Sequence, residues 1–300
     1  MIKFIFIAGL GVGDLVGSTA YLKSRSKHKK NDRLILVTDS PLFFENLPVF
    51  KVWVIRNRLF LWLSRNLISF LGKLGGFCGI YGYKSGVGTL EELKNENGHY
   101  VDLASRHLRD FPMHDYRGWI IFSDNELNLF SQRFNDLPEN FGIIHSTGKS
   151  TITDRKNVGV SRLQKIVDSC TSVTWLQIGA EGEPLLNDVY CFVGKTRNFR
   201  ELAYVISQAS FVVCQEGGYN HIAAAFNIST IMLCTGYLDP KFFMYPTTYL
   251  VRNDVMPKCA PCARPGLCEN DHICVSDDLV DQAVDLLRHK GILNEKSVGN

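Results

Sequence analysis

The sequence predicts an α/β fold made of two Rossmann-like domains, each with a parallel sheet enclosed by helices. Short apolar runs that end at glycine or polar residues alternate with amphipathic segments, as in buried parallel strands joined by helices. This alternation stops at the polar, Pro-containing residues 135–142 and then restarts. A chain of 300 residues is long enough for two domains of ordinary size. We therefore expect an amino-terminal domain over 1–138 and a carboxyl-terminal domain over 139–300, facing each other across a cleft.

The first half is predicted to alternate strands and helices from its first residues. Strands are expected at 2–8, 33–40, 51–55 and 118–123, and a helix is expected to start near Asp14. The second half repeats the alternation. Its strands are expected within 141–150, 172–183, 189–196, 210–218 and 229–236, and its helices over 160–170, 198–209, 219–227 and 275–291.

Residues 56–77 have two possible interpretations. Apolar residues recur there at helical spacing, namely Phe60, Leu63, Leu67, Phe70 or Leu71, and Leu74. Arg56, Arg58, Arg65 and Lys73 lie among them. The segment is either an amphipathic helix that faces the core, or a basic amphipathic helix that touches a membrane or a lipid-linked acceptor.

Composition and cysteine use exclude several classes of protein. A net charge of +3 gives no general basic field for nucleic acid, and we expect the basic run at 23–30 to be a solvated helix end. The amino terminus resembles a first strand rather than a signal peptide, and no apolar stretch is long enough to span a membrane. Five of the nine cysteines are scattered singly in apolar segments. This distribution favours reduced thiols in a cytoplasmic protein, with a peripheral membrane contact if the basic helix touches lipid.

The segment AGLGVGDLVGS, residues 8–18, raises the possibility of a dinucleotide-binding loop. Its glycines follow an apolar strand, and Asp39 follows the second strand, where a ribose-binding carboxylate is expected. However, Asp14 stands where that fingerprint has its third glycine, and a carboxylate there repels a pyrophosphate. An oxidoreductase therefore remains only an alternative.

A second strand-to-helix corner lies in CQEGGYNHIAAAF, residues 214–226. A buried strand ends at Glu216, Gly217 and Gly218 allow a tight turn, and His221 follows on the first turn of a helix. The amide groups at such a helix start attract phosphate, and ligands bind at the carboxyl ends of strands in open α/β sheets. An ordinary tight turn with His221 in the core is the alternative interpretation.

Residues 192–240 resemble the donor-binding region of heptosyltransferase-type glycosyltransferases, family 9, which have the GT-B fold. Gly194–Lys195–Thr196, the helix over 199–209, the Glu216 corner and the segment 236–240 follow the order of the family motifs. Upstream, GVGDLVGSTAYLKS, IIHSTGKS with the following RKNVGVSRLQKIVD, and IGAEGE resemble further family motifs in the same order. The resemblance covers most of the chain and is densest in 141–275.

The resemblance implies an inverting enzyme of lipopolysaccharide biosynthesis that transfers a sugar, heptose most of all, from a nucleotide-diphosphate sugar such as ADP-heptose. The acceptor would be a hydroxyl of a lipopolysaccharide core, another glycan or a protein, and catalysis would need no cofactor. Asp14 would be the general base. The implied donor-binding residues are Thr147, Gly148, Lys149, Lys156, Glu183, Glu216, Gly217, Gly218 and His221.

The sequence departs from the family pattern at several positions. Glu216 replaces an aspartate, Gly217 replaces a serine, and Val158–Gly159 replaces a Trp-Pro pair; the proline expected near position 20 is absent. A different nucleotide sugar, a partner-dependent enzyme, or a non-catalytic binding protein on the same scaffold also fits these departures.

A cysteine-rich loop occupies residues 259–274. Cys259 and Cys262 form a C-x2-C pair, Cys268 and Cys274 follow, and His272 is close by. Four thiolates can enclose one zinc or iron ion tetrahedrally, which leaves no open position for catalysis. In the branch of the family that modifies autotransporters, cysteines of this region bind iron, so the resemblance implies a structural metal here. A reduced, metal-free loop is the alternative.

Overall fold

A computed structural model describes residues 2–29, 33–48, 50–75, 78–81, 98–106, 108, 111–147, 153–264 and 266–289. These residues divide into two compact units, one ending at Leu129 and the other beginning at Phe130. The expectation of an α/β chain with two parallel sheets is confirmed.

The first unit contains a four-stranded parallel sheet with the strand order β3-β2-β1-β4. The strands are β1 (Ile2–Phe6), β2 (Arg33–Thr38), β3 (Phe50–Val54) and β4 (Cys78–Ile80). The helices are α1 (Val12–His28), α2 (Arg58–Gly75) and α3 (Tyr100–Ser105), and α4 (Asp124–Arg133) begins near the end of the unit. Tyr21 and Leu22 of α1 are fully buried, so α1 fills much of the core of this unit.

The prediction of a strand at 118–123 is wrong, because no strand forms there. The backbone of this segment bonds to side chains instead of a neighbouring strand. The Trp119 amide donates to the Thr19 hydroxyl at 2.7 Å, and the Asn46 side-chain amide donates to the Ile121 carbonyl at 3.1 Å. An apolar run alone does not show which partner satisfies its peptide groups.

The second unit contains a six-stranded parallel sheet with the order β10-β9-β8-β5-β6-β7. The strands are β5 (Gly142–His145), β6 (Trp175–Ile178), β7 (Tyr190–Cys191), β8 (Phe211–Gln215), β9 (Ser229–Leu233) and β10 (Thr248–Val251). The helices are α5 (Val160–Ser169), α6 (Phe199–Gln208), α7 (Gly218–Ala225) and α8 (Asp278–His289). Strands β5, β6 and β8 are buried along their whole length, which explains their largely apolar sequences.

Each sheet reverses its strand order at one point. In the second unit the chain runs outward from β5 to β7 and then returns to place β8 beside β5. In the first unit β4 returns to the other side of β1. Ligands of open α/β sheets bind outside the carboxyl ends of the strands at such switch points, so these two edges are where a site is expected.

Candidate active site

The switch point of the second unit is bordered by two polar strand ends. β5 ends at His145 and leads into Ser146 and Thr147, and β8 ends at Gln215 and leads into Glu216. The two strands pair in parallel, with Ile144 opposite Val213. Their carboxyl ends therefore lie side by side, and the sequence motifs that begin at them belong to one edge.

Glu216 and Lys156 form a close ion pair at this edge. The Lys156 Nζ lies 2.7 Å from the Glu216 Oε1, and the Glu216 side chain is only 4 % exposed. The ammonium also lies over the Tyr237 ring, 4.9 Å from its centroid. A buried carboxylate needs such a partner because burial without one is costly. Two residues that the sequence assigned to donor binding are therefore in direct contact.

Two hydrogen bonds hold the segment that carries Lys156. The Val158 amide donates to the Oε1 of buried Gln215 at 2.8 Å, which ties the segment to the end of β8. The Thr235 hydroxyl donates to the Arg155 carbonyl at 2.7 Å, which ties it to the end of β9. Lys156 is thus positioned from both of its sides.

The start of α7 lies directly beside this ion pair in the chain. Gly217 is the N-cap residue in an extended conformation, and the helix begins at Gly218. The first amides of a helix point along its axis without helical partners and favour an anion. The amides of this helix start make the edge suited to a phosphate group, and Lys156 lies beside them with its charge offset by Glu216.

Glu183 contacts the end of β5. Its Oε2 lies 3.3 Å from the His145 Nε2, and the His145 ring packs on Tyr219 with centroids 4.0 Å apart. Burial raises the pKa of the Glu183 carboxyl, but the bond and charge of His145, helped by the Thr147 side chain, bring the pKa below its usual value. Glu183 is therefore an anion at neutral pH and accepts hydrogen bonds.

Sequence reasoning did not select His145, although it stands in the quoted motif IIHSTGKS. Its position as the last residue of a buried strand was the available signal. Thr147 joins the Glu183 cluster, whereas Gly148 and Lys149 lie outside the described residues. Gly179 allows this arrangement, because a Cβ there would lie 2.3 Å from the Glu183 Oε2.

His221 is buried in the core next to the site. Its Nδ1 lies 2.7 Å from the Tyr245 hydroxyl, and its ring meets those of Phe243 and Tyr245 edge-on. These contacts fit the alternative interpretation of the sequence, in which His221 is a core histidine. The role of His221 in donor binding stays a prediction.

The switch point of the first unit carries Asp14 in the first turn of α1. The carboxylate is half-buried, and a Cβ added to Gly11 would lie 3.6 Å from its Oδ2. The Tyr100 hydroxyl donates to the Gly13 carbonyl at 2.8 Å. Its approach requires a glycine at position 17, since a Cβ there would lie 2.3 Å from the hydroxyl oxygen. The loop before Asp14 is therefore held in one place.

Asp39 does not have the environment that a dinucleotide site requires. Its Oδ2 accepts a hydrogen bond from the Gly9 amide at 3.0 Å, and its Oδ1 accepts one from the Ser40 hydroxyl at 2.8 Å. In a Rossmann dehydrogenase this carboxylate binds ribose hydroxyls instead. These contacts, together with Asp14 in place of the third glycine, disfavour the oxidoreductase alternative.

The cysteine-rich loop is bound to the segment that carries Lys156. The Cys268 amide donates to the Asp154 Oδ1 at 2.8 Å, and the guanidinium of Arg155 donates to the Leu267 carbonyl. The His272 Nε2 lies 3.1 Å from the Asp154 carbonyl. The conformation of the loop is therefore linked to the position of Lys156.

The four cysteines of this loop line one pocket. Cys259, Cys262, Cys268 and Cys274 surround it together with Arg155. Burial raises the pKa of the Cys274 thiol, and the neighbouring Cys268 and Cys262 sulfurs raise it further. Within the described residues, however, no three His, Cys, Asp or Glu side chains are arranged closely enough to hold a metal ion. The thiols share a pocket but must move together to become ligands.

A pH-dependent stability is expected from His99, the N-cap residue of α3. Burial lowers the pKa of His99 to about 3, and its Nδ1 accepts from the Val101 amide. The unfolded chain binds a proton below about pH 6.5 that the folded protein excludes, so this group lowers the free energy of unfolding as the pH falls. The full slope is about 1.4 kcal/mol per pH unit.

We expect His99→Asn to flatten the dependence of stability on pH between about pH 6 and pH 4 in urea unfolding, since asparagine still caps the helix. His114→Asn is the control, because His114 is exposed. An unchanged slope in His99→Asn would contradict the prediction.

Three solved structures that are similar to this chain are glycosyltransferases. A family 9 glycosyl transferase from Veillonella parvula matches with a TM-score of 0.67 at 12 % identity, covering 98 % of this chain and 97 % of the other. The E. coli ADP-heptose lipopolysaccharide heptosyltransferase II matches with a TM-score of 0.64 at 14 % identity, covering 99 % and 100 %. The iron-containing dodecameric glycosyltransferase TibC of enterotoxigenic E. coli matches with a TM-score of 0.60 at 14 % identity, covering 99 % and 77 %.

No protein-family model matches the chain, and no curated protein sequence matches it. At these identities the structural matches establish the fold. The chain is an α/β protein with the two-sheet GT-B fold of the family 9 glycosyltransferases. The resemblance expected from the ordered motifs is thereby confirmed at the level of the fold.

Proposed function

We propose that this protein is an inverting glycosyltransferase that uses a nucleotide-diphosphate sugar, with ADP-heptose as the favoured donor. The observation that carries the proposal is the placement of the predicted residues. Asp14 lies at the switch point of one sheet, and Lys156 and Glu216 form an ion pair at the switch point of the other. E. coli heptosyltransferase WaaC, whose structure with ADP is known, has the same fold at a TM-score of 0.55 and 13 % identity.

In the proposed reaction Asp14 takes the proton of the acceptor hydroxyl as its oxygen attacks the anomeric carbon. The bond between that carbon and the diphosphate oxygen breaks, a glycosidic bond forms with inverted configuration, and the nucleoside diphosphate leaves. A half-buried carboxylate in the first turn of a helix suits this role, because it is accessible and its backbone is fixed.

Lys156 and the start of α7 would stabilise the negative charge that develops on the departing diphosphate. Glu216 holds the Lys156 ammonium at 2.7 Å, and preorganised positive groups of this kind stabilise transition states strongly. Glu183, anionic beside His145, would accept hydrogen bonds from the ribose hydroxyls of the nucleotide. Lys156 and the start of α7 would supply the positive charge that the step needs, and we propose no cofactor for it.

The donor proposal is tested by thermal unfolding with a panel of ADP-, UDP- and GDP-sugars. A ligand at one hundred times its Kd stabilises the folded state by about 2.7 kcal/mol. We expect ADP-sugars to raise the Tm and UDP- and GDP-sugars to leave it unchanged, with UMP and GMP as controls for unspecific nucleotide binding. If UDP- or GDP-sugars raise the Tm instead, the donor belongs to that class and is not ADP-heptose. If no nucleotide sugar raises the Tm, a non-catalytic scaffold protein is favoured.

We further propose that the pocket of the cysteine-rich loop binds one structural zinc or iron ion. Four thiols around one pocket are the donor set that these metals prefer, although the sulfurs must approach one another to ligate. TibC, which shares the fold, contains iron. Metal analysis of the purified protein should give about one ion per chain and none in Cys259→Ser/Cys262→Ser; wild-type protein without metal would contradict the proposal.

A further inference from the structure

Helix α2 exposes a broad apolar face to solvent. Leu59, Phe60, Leu63, Leu67 and Phe70 are 45 to 62 % exposed. The interpretation of the segment as a core-facing helix is therefore wrong for Phe60, Leu63, Leu67 and Phe70, and the side chain of Leu74 lies outside the described residues. The helix packs on its sheet through Leu61 and Ile68, which join the cluster of Phe6 and Val37.

The two apolar sides of α2 follow from its helical period. With 3.6 residues per turn, Leu63, Leu67 and Phe70 lie roughly 140° around the axis from Leu61 and Ile68. One narrow side thus suffices to attach the helix to the sheet. The exposed apolar residues of the wider side are neighbours on the helix, unlike the singly scattered exposed residues of an ordinary surface.

The stretch of sequence that contains α2 carries charge of one sign. The sequence contains no acidic residue between Glu45 and Glu91, whereas Lys51, Arg56, Arg58, Arg65, Lys73 and Lys84 lie in that interval. Arg56, Arg58 and Arg65 are exposed, and no ion pair involves them among the described residues. Trp53 and Trp62 are also exposed, at 46 % and 61 %.

We propose that α2 docks this protein on the surface of an anionic lipid bilayer. A helix lying in the interface buries its apolar face among acyl chains, while its arginines reach the phosphates and its tryptophans occupy the headgroup level. No helix in the described part of the chain is long and apolar enough to cross a bilayer. The proposed contact therefore keeps α2 on the bilayer surface.

A second copy of the chain fits the face less well than lipid does. A two-fold contact places the same patch against itself, so the arginines next to it in both copies would gather around one contact. The sequence between Glu45 and Glu91 contains no acidic residue to offset their charge. An anionic headgroup layer supplies the opposite charge at every arginine. The charge pattern therefore favours lipid over self-association.

Co-sedimentation with vesicles tests the proposal on the full chain without donor or acceptor. We expect binding to vesicles of phosphatidylcholine mixed with phosphatidylglycerol, weak binding to pure phosphatidylcholine, and loss of binding as salt rises. Arg58→Gln/Arg65→Gln should weaken binding about 30-fold. Leu63→Ser/Leu67→Ser should abolish it, and both variants should keep the wild-type Tm, since the changed side chains are exposed.

Matched controls come from the second unit. Leu185 is 61 % exposed and Arg264 is exposed, so Leu185→Ser and Arg264→Gln should bind vesicles as the wild type does. Equal binding to neutral vesicles, or none to anionic ones, would overturn the proposal. A concentration-dependent dimer that is lost in Leu63→Ser/Leu67→Ser, together with no binding to vesicles, would also overturn the proposal. The assay requires no sugar transfer, so its outcome is separate from that of the proposed reaction.

Discussion

Asp14→Asn is expected to lower kcat by about 10²- to 10⁴-fold, the usual contribution of a positioned general base. Asparagine has the shape of aspartate but cannot take the proton of the acceptor hydroxyl. Because Asp14 and the proposed donor residues belong to different units, we expect the stabilisation by nucleotide sugar to remain. The measurement is the initial rate of nucleoside diphosphate release in the presence of acceptor, paired with thermal unfolding.

Asp124→Asn is the matched control for this prediction. Asp124 also lies in the first turn of a helix of the first unit, α4, and is exposed. Its replacement should leave kcat unchanged. If Asp14→Asn retains most of the wild-type rate, another group takes the proton. If it loses donor binding as well, Asp14 contributes to the donor site rather than to the base.

Lys156→Met is expected to have two separable effects. It removes the cation proposed to stabilise the leaving diphosphate, which should lower kcat by about 10²- to 10³-fold. It also leaves the Glu216 carboxylate buried without its partner at 2.7 Å, which should cost about 3 kcal/mol of stability. A low rate in this variant therefore has two explanations, lost chemistry and lost fold.

The double variant Lys156→Met/Glu216→Gln separates them. Removing both charges leaves no unpaired ion in the interior, so the free energy of unfolding should return close to the wild-type value. The rate should stay low, because the positive charge is still absent. Lys156→Arg, which keeps the charge, should recover part of the rate. A double variant that transfers sugar at the wild-type rate would exclude Lys156 from leaving-group stabilisation.

The link between the cysteine-rich loop and Lys156 connects the two proposed roles of the second unit. The Asp154 carboxylate holds the Cys268 amide, and Arg155 holds the Leu267 carbonyl. A metal ion that draws the four thiols together would therefore act on the segment that positions Lys156. In this proposal the loop would be a structural support of the proposed donor site, with no part in the chemical step.

Much of the fold could be predicted because its signals are local. β1, β2, β5, β6 and β8 are apolar runs that end at glycine or polar residues, and a strand buried on both faces requires such a run. The corners at Asp14 and Glu216 were recognisable for the same reason: a strand, a turn with glycine and a helix follow one another within a few residues. The α/β class, most strands and the two corners were therefore predictable from local sequence patterns alone.

Contacts between distant residues, and the covered face of a helix, could not be predicted from local patterns. Lys156 and Glu216 are sixty residues apart in sequence and become partners because β8 returns to lie beside β5. The period of α2 showed that the helix has apolar stripes, but the sheet covers only the narrow one with Leu61 and Ile68. The spacing of apolar residues shows only that one side of a helix is more apolar than the other. The side that is buried depends on the surface that the rest of the chain presents to it.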